Sequence, residues 1–112
     1  MIRKNIKISF AYDKLEREFD KLRHGQNDEK KLFFFITRAF NDIEKDLSSC
    51  IKIPKYLWPK TYKQKYEIDN LWKYDLPNGY RLIFTLENQE VVLLAIILEW
   101  FSHKEYEKRF KY

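Results

Sequence analysis

The chain has 112 residues, 45% hydrophobic and 18% aromatic, enough for one packed core but not two, so we expect one domain over residues 1–112. Its 22 Lys and Arg residues outnumber its 17 Asp and Glu residues, and the charge of +5 favours an anionic partner without requiring one. The single cysteine, Cys50, excludes an internal disulfide, and zinc would need His24, His103 and distant carboxylates, so we expect a reducing, cytoplasmic setting without metal or cofactor.

The chain begins with a short predicted strand. Apolar and polar side chains alternate over residues 6–10, which is the period-2 pattern of a half-buried strand. Charged residues interrupt the apolar ones from the start, so we expect neither a signal peptide nor a membrane anchor in this segment.

A helical hairpin is predicted next. Residues 13–25 carry apolar side chains at i, i+4 and i+7, which predicts a helix that Asp13 caps and Gly25 ends. Asn27 or Asp28 can cap a second, longer helix. Its apolar side chains recur every three or four positions at Leu32, Ile36, Ala39, Phe40, Ile43 and Leu47. We expect the two helices to pack antiparallel against one face of a sheet.

Residues 48–66 form a basic connection rich in aromatic residues. It contains Pro54 and Pro59 and has no acidic residue, and we predict an irregular structure for it. Its lysines and aromatic residues interleave: Lys52, Lys55, Tyr56, Trp58, Lys60, Tyr62, Lys63, Lys65 and Tyr66. Single-stranded RNA binding requires cations for phosphates beside aromatic rings for bases. The alternative is a solvated loop whose aromatic rings pack on the core.

Three consecutive strands are predicted after this connection. Residues 66–76 and 80–86 alternate around Asn78-Gly79, a pair that tolerates positive φ and predicts a hairpin turn. After a second turn, residues 91–98 are uniformly apolar, as in a central strand covered on both faces, and far too few to cross a membrane.

The overall prediction is an α+β domain. An N-terminal strand lies at the edge of the sheet or beside the last strand, and the two-helix hairpin covers one face. A three-stranded antiparallel meander completes one sheet, and a short C-terminal helix follows it.

The sequence "SHKEY" predicts the start of that helix. Ser102 and Glu105 fit a capping box, which places His103 at the first helical position. Phe101 and Tyr106 then occupy the two positions of a hydrophobic staple, and a functional role for Tyr106 is compatible with that packing.

His103 is a candidate general base because the capping box does not need a histidine there. The positive end of the helix dipole disfavours the imidazolium form, and the free amides suit a phosphate. The cations nearby in sequence are Lys104, Lys108, Arg109 and Lys111. An inert, exposed histidine is the alternative interpretation.

Arg81 and Lys73 are candidate partners of His103. Arg81 points away from the face built by its apolar neighbours, and a meander can bring it close to His103 and Tyr106. Lys73 shares the odd-numbered face of its strand with Leu71 and Asp75, so it is a functional cation, an ordinary solvated strand lysine or one member of a cross-strand pair with a carboxylate.

The segment "LWKYDLPNGYRLIFTLENQEVVLLAIILEWFSHKEYEKRF" resembles the strand-turn-strand core and C-terminus of the RelE/ParE superfamily of toxins from type II toxin–antitoxin systems. The preceding strand and helical hairpin are similar to that family in architecture only. The resemblance implies a RelE-like fold and a ribosome-dependent mRNA endoribonuclease that is neutralised by a cognate antitoxin. It also implies the ribosome and mRNA as partners, an oligomer with the antitoxin, and no membrane partner.

The resemblance implies roles for individual residues. Arg81 matches the arginine that binds the scissile phosphate, and Tyr106 matches the C-terminal tyrosine of RelE-type members. His103 resembles the proton-transferring histidine of YoeB-like and HigB-like members, and Lys73 matches a second-strand lysine. Asp75 departs from the pattern, because RelE has another lysine there, and no glutamate on this face is an obvious counterpart of the YoeB general base.

The resulting hypothesis is RNA cleavage by attack of a ribose 2'-hydroxyl on the adjacent phosphate. His103 would transfer protons, and Arg81 would stabilise the charge that develops on the phosphate, with help from Lys73 and Lys104. Tyr106 would orient or stack on a base. The expected RNA-binding lysines are Lys60, Lys63, Lys65, Lys104 and Lys108. The alternatives are a ParE-like toxin that acts by binding a protein, without nuclease chemistry, and a non-toxic interaction module of the same fold.

Overall fold

The computed structural model of the protein describes residues 4–110 and shows an α+β fold. In chain order, the strands and α-helices of these residues are β1 (Asn5–Phe10), α1 (Asp13–Leu22), α2 (Asn27–Lys45), β2 (Cys50–Lys52), α3 (Lys60–Lys65), β3 (Trp72–Asp75), β4 (Arg81–Asn88), β5 (Val92–Phe101) and α4 (His103–Phe110). Short 3-10 turns cover Lys55–Leu57 and Pro77–Gly79.

The five strands form one mixed sheet in the order β1-β5-β4-β3-β2. β1 runs parallel to β5, and each of the other neighbouring pairs is antiparallel. The N-terminal strand is therefore at an edge and beside the last strand, as the sequence predicts. Parallel pairing is possible there because the intervening chain is long enough to cross over.

The helical hairpin of α1 and α2 covers one face of the sheet, as predicted. Ile36, Ala39 and Ile43 of α2 are fully buried against Phe84 of β4 and Ile97 of β5. The apolar stripe predicted from the three-to-four-residue spacing is thus the stripe that packs on the sheet.

Both predicted helix caps differ from those in the structure. Asp13 is the first helical residue of α1 rather than its cap, and α1 ends at Leu22, before Gly25. At α2 the cap is Gln26, whose side chain forms a reciprocal capping box with Glu29. Gln26 is the cap because α2 already begins at Asn27, one residue earlier than a cap at Asn27 would place it.

The opposite face of the sheet carries a second apolar cluster. Leu98 and Phe101 of β5 pack there with Ile83 of β4 and with Tyr106 and Phe110 of α4. The register of β4 against β5 shifts between Ile83 and Phe84, because β5 has one extra residue there, Leu98. Residues of β5 belong to both apolar clusters, so this strand is covered on both faces, as its uniform apolar character predicts.

The connection over residues 48–66 is more regular than predicted. β2 adds to the free edge of β3, α3 follows Pro59, and the third strand begins at Trp72 rather than near residue 66. Sequence periodicity missed β2 because three residues are too few to show alternation, and the strand depends on pairing with a distant partner.

No helix among residues 4–110 is long and apolar enough to span a bilayer.

Candidate active site

Arg81 lies at the start of β4, on the face of the sheet opposite the helical hairpin. It pairs in register with Asp75 on β3 and with Phe101 on β5. Its Nη1 donates hydrogen bonds to the carbonyl oxygens of Gly79 at 2.8 Å and Tyr80 at 3.2 Å. The turn thus holds the guanidinium in place, and the side chain is only 16% exposed.

Asp75 places a carboxylate between the two candidate cations. Its Oδ1 lies 2.9 Å from Arg81 Nε and 3.2 Å from Lys73 Nζ. The contact with Arg81 is an ion pair without the directional geometry of a hydrogen bond. Lys73 is therefore paired with a carboxylate, along its own strand. The carboxylate of Asp75 is more exposed than either cation, so an incoming anion can displace it from Arg81 and Lys73.

The ring of Tyr106 packs against Arg81 and Lys73. Its ring centroid lies 5.3 Å from Arg81 Cζ and 5.2 Å from Lys73 Nζ, within cation–π range. The ring also stacks on Phe110 at 4.7 Å and contacts Phe101 at 6.1 Å, which is the predicted staple. Because Tyr106 is only 2% exposed, its ring offers no face to a nucleobase. It supports the cations instead.

His103 lies beside Arg81 and is open to solvent. Its Nδ1 is 3.4 Å from Arg81 Nη2, its Nε2 is 2.7 Å from Glu107 Oε1, and its side chain is 54% exposed. A guanidinium can only donate, so Nδ1 is the acceptor in this arrangement, and Nε2 carries the proton donated to Glu107. The lone pair available as a base is therefore on the nitrogen next to Arg81.

The start of α4 places His103 there. The Ser102 hydroxyl oxygen accepts a hydrogen bond from the Glu105 amide at 3.3 Å, as in the predicted capping box. The side chain of Glu105 accepts from Arg109 Nε at 3.0 Å instead of reaching back to the cap. One half of the predicted box is therefore present, and it suffices to begin the helix at His103.

Gly79 allows the hairpin turn to approach His103 closely. Its φ is +78°, and Asn78 before it has φ of +61°, which confirms the predicted pair of positive-φ residues. A Cβ placed on Gly79 would lie 2.8 Å from the Cβ of His103. Glycine is therefore required at this position for both its backbone conformation and the space it leaves.

A partly buried polar network fixes the other flank of α4. Glu99 of β5 accepts hydrogen bonds from the Tyr62 hydroxyl of α3 and from Arg109 of α4. Burial and then the neighbouring Glu99 raise the pKa of Tyr62 well above its usual range. Burial acts to lower the pKa of Arg109, but the hydrogen bond to Glu105 and the charge and hydrogen bond of Glu99 together outweigh it, so this pKa is raised. One carboxylate thus joins α3, β5 and α4.

The predicted RNA-binding lysines are exposed but do not form one patch. Lys104 and Lys108 lie on α4, and Lys108 lines the same groove as Lys60. Lys63 and Lys65 line a different groove, and Lys65 Nζ lies 5.4 Å from the ring centroids of Tyr12 and Tyr66. Lys111, named above among the nearby cations, is outside the described residues.

The aromatic residues of the connection divide into buried and exposed ones. Trp58 and Tyr62 pack in the second apolar cluster, and the Trp58 indole donates to the Ile53 carbonyl at 2.8 Å. For these two the alternative of core packing is correct. Of the four aromatic residues Tyr56, Trp58, Tyr62 and Tyr66, Tyr56 alone is almost fully exposed, at 83%.

Glu107 is the site residue that sequence reasoning missed. It contacts His103 because residues at i and i+4 are neighbours on a helix, so the spacing from His103 was a usable signal. Together His103, Arg81, Lys73, Tyr106 and Glu107 form one constellation, with a base nitrogen and a cation at its open side.

Among residues 4–110, no three His, Cys, Asp or Glu side chains are arranged to hold a metal ion. Comparisons of the chain with protein-family models, with curated proteins and with solved structures found no match.

Proposed function

We propose that the protein is a toxin-like mRNA endoribonuclease of the RelE/ParE type. The observation that carries this proposal is the pairing of His103 Nδ1 with Arg81 Nη2 at 3.4 Å, at an open position. A base and a phosphate-binding cation in that relation are what cleavage of RNA by its own 2'-hydroxyl requires.

In the proposed reaction, the scissile phosphate binds at Arg81 Nη2, with Lys73 as a second cation. His103 Nδ1 gives up its contact with Arg81 Nη2 when the phosphate binds there, and it takes the proton of the 2'-hydroxyl, whose oxygen forms a new bond to phosphorus. The bond from phosphorus to the 5' oxygen breaks, and that oxygen leaves with a proton from solvent or from the ribosome. The products are a 2',3'-cyclic phosphate and a 5'-hydroxyl end.

Glu107 and Tyr106 act through the groups that they hold. Glu107 accepts a hydrogen bond from Nε2–H of His103, and this tautomer keeps the lone pair on Nδ1, the nitrogen next to the phosphate site. Tyr106 supports Arg81 and Lys73 from below. Asp75 must give way to the substrate phosphate, and its exposed position permits this.

Further parts of the proposal rest on the resemblance. A cognate antitoxin binds the toxin into an oligomer, and the partners in cleavage are mRNA and the ribosome in the cytoplasm.

Induction in growing bacterial cells tests the proposed function. We expect the wild-type protein to arrest growth, and His103→Ala or Arg81→Ala to relieve the arrest, because acid–base and electrostatic help are each worth about 10²–10⁴-fold in rate. His24→Ala is the matched control, since His24 is the other exposed histidine and lies just after α1. Growth arrest that survives His103→Ala and Arg81→Ala combined in one protein would favour the ParE-like, protein-binding alternative.

A further inference from the structure

The groove between the connection and α4 has the composition of a nucleotide-binding site. It encloses about 610 Å³ and is lined on one side by Tyr56, Trp58 and Lys60 and on the other by Lys108 and Arg109. We propose that this groove binds a nucleotide of single-stranded RNA that flanks the scissile phosphate. The inference rests on the proposed function for the identity of the substrate, and it adds a binding subsite to it.

The first argument is the position of Tyr56. The ring is 83% exposed, although Trp58 and Tyr62 in the same connection are buried. It sits in the 3-10 turn Lys55–Leu57, which follows Pro54 directly and ends just before Trp58 and Pro59. The two prolines and the hydrogen bond from the Trp58 indole to Ile53 restrict this turn, so the ring is presented on a rigid support. An exposed, pre-positioned ring is suited to stacking on a base.

The second argument is the charge of the groove. Arg109 and Glu105 also line it, but they pair with each other, and Arg109 pairs with Glu99 as well. Lys60 and Lys108 make no ion pair or side-chain hydrogen bond with any residue in the described range 4–110. Two unpaired cations beside an exposed ring are complementary to a phosphate backbone with a stacked base.

The third argument is proximity to the candidate active site. One wall of the groove is α4, the helix that begins at His103. Lys108 follows His103 by five positions on α4, which is about 8 Å along the helix axis. The groove is on the flank of α4 away from His103, so a strand whose phosphate is bound at Arg81 passes over the exposed side of α4 to place a neighbouring nucleotide in the groove.

Fluorescence anisotropy with a labelled single-stranded oligoribonucleotide tests the inference. Every protein in the series carries His103→Ala, so that the RNA stays intact during the titration. We expect Tyr56→Ala to weaken binding by about 5- to 100-fold and Tyr56→Trp to retain it, because stacking needs only an aromatic face. Each of Lys60→Ala and Lys108→Ala should lower the salt dependence of the logarithm of affinity by about 0.7.

The matched control is the triple variant Lys30→Ala, Lys31→Ala and Phe34→Ala. It removes the same kinds of exposed side chain from α2, on the other face of the sheet, and should leave RNA affinity within about twofold of the starting protein. Circular dichroism verifies that each variant is folded.

The outcomes separate this inference from the proposed function. If the groove variants bind RNA as well as the starting protein, or if the starting protein binds no RNA, the inference is wrong. If RNA binding depends on Tyr56 while the protein with His103 intact does not cleave mRNA on translating ribosomes, the inference stands and the proposed nuclease function fails.

Discussion

At the scale of single residues, the candidate site follows from rules that the sequence displays. Strand alternation predicts that Arg81 leaves the face of Leu82 and Phe84, and the cap at Ser102 predicts that His103 opens a helix. Both are confirmed. The contact between Arg81 and His103 depends on how β4, β5 and α4 pack, and local pattern could suggest it but not establish its geometry.

The role of Glu107 gives a residue-scale prediction. Glu107→Ala removes the acceptor of the hydrogen bond from His103 Nε2–H. The tautomer with a free lone pair on Nδ1 is then less populated, and the rate constant for RNA cleavage should fall by about 2- to 5-fold. The effect is modest because both side chains are more than half exposed, and such pairs contribute less than about 1 kcal/mol. Glu107→Gln retains an acceptor and should restore most of the rate.

Single-turnover cleavage measures this effect apart from binding. The substrate concentration at half-maximal rate should not change, because Glu107 is placed to orient His103 and not to hold RNA. If Glu107→Ala weakened RNA binding and left the maximal rate unchanged, its assignment as a positioning residue would be wrong.

At the scale of elements, prediction succeeded where periodicity is long and failed where an element is short. The spacing of apolar residues identified α2 and β5, which contain enough residues to show a period. It missed β2 and α3, whose three and six residues are held by the edge of β3 and by burial of Tyr62. Two aromatic residues of the connection that could have stacked on bases, Trp58 and Tyr62, belong instead to the core.

The hairpin turn gives an element-scale prediction. Gly79→Ala puts a Cβ 2.8 Å from that of His103 and forces alanine into positive φ, so it should destabilise the fold by about 1–3 kcal/mol and also displace the imidazole. Asn78→Ala is the matched control, because it has positive φ but is not the turn residue that abuts His103.

Urea denaturation and cleavage assays distinguish the two effects. Both variants should lose stability, but only Gly79→Ala should lose cleavage activity beyond what its unfolded fraction explains. Equal activity per folded molecule in the two variants would contradict the proposed packing of the turn against His103.

Glu99 gives a second prediction at this scale. Glu99→Gln weakens the bonds to Tyr62 and Arg109 that connect β5 with α3 and α4, and the free energy of unfolding should fall by about 1–3 kcal/mol. Amide hydrogen exchange should accelerate first in α4. Exchange that accelerated equally in α2, on the opposite face, would indicate that Glu99 does not act on α4 specifically.

At the scale of the whole molecule, the sheet separates two packed layers. α1 and α2 cover one face, and the connection with α4 builds the candidate site and its groove on the other. The layered α+β arrangement was predictable from the order of helical and strand patterns. The sequence did not reveal that the connection would cover the second face, because its aromatic residues suit equally a core and an RNA surface.

Alkaline pH should destabilise the whole fold. Burial and the hydrogen bond to Asp42 raise the pKa of Tyr74 to about 12, and burial with Glu99 raises that of Tyr66 to about 12. The pKa of the Cys50 thiol is raised to about 11, mainly by burial. Each group favours its protonated form when folded, so its contribution is complete below its ordinary pKa of 9 to 10 and is lost as pH rises through the folded value.

Urea denaturation from pH 8 to pH 12 measures this dependence. The free energy of unfolding should be steady to about pH 9 and then decline, and Tyr74→Phe should decline less steeply because one raised group is gone. A wild-type curve that stays flat to pH 12, or a Tyr74→Phe curve that falls as steeply, would contradict these shifts.

The chemistry of the RNA ends tests the central claim most directly. Purified protein is incubated with translating ribosomes, and the ends of the cleaved mRNA are mapped and analysed for wild type, His103→Ala, Arg81→Ala and the control His24→Ala. The account predicts 2',3'-cyclic phosphate and 5'-hydroxyl ends from wild type and His24→Ala, with at least about 100-fold less product from the other two. Intact mRNA with the wild-type protein, or undiminished cleavage after loss of His103 and Arg81, would contradict it.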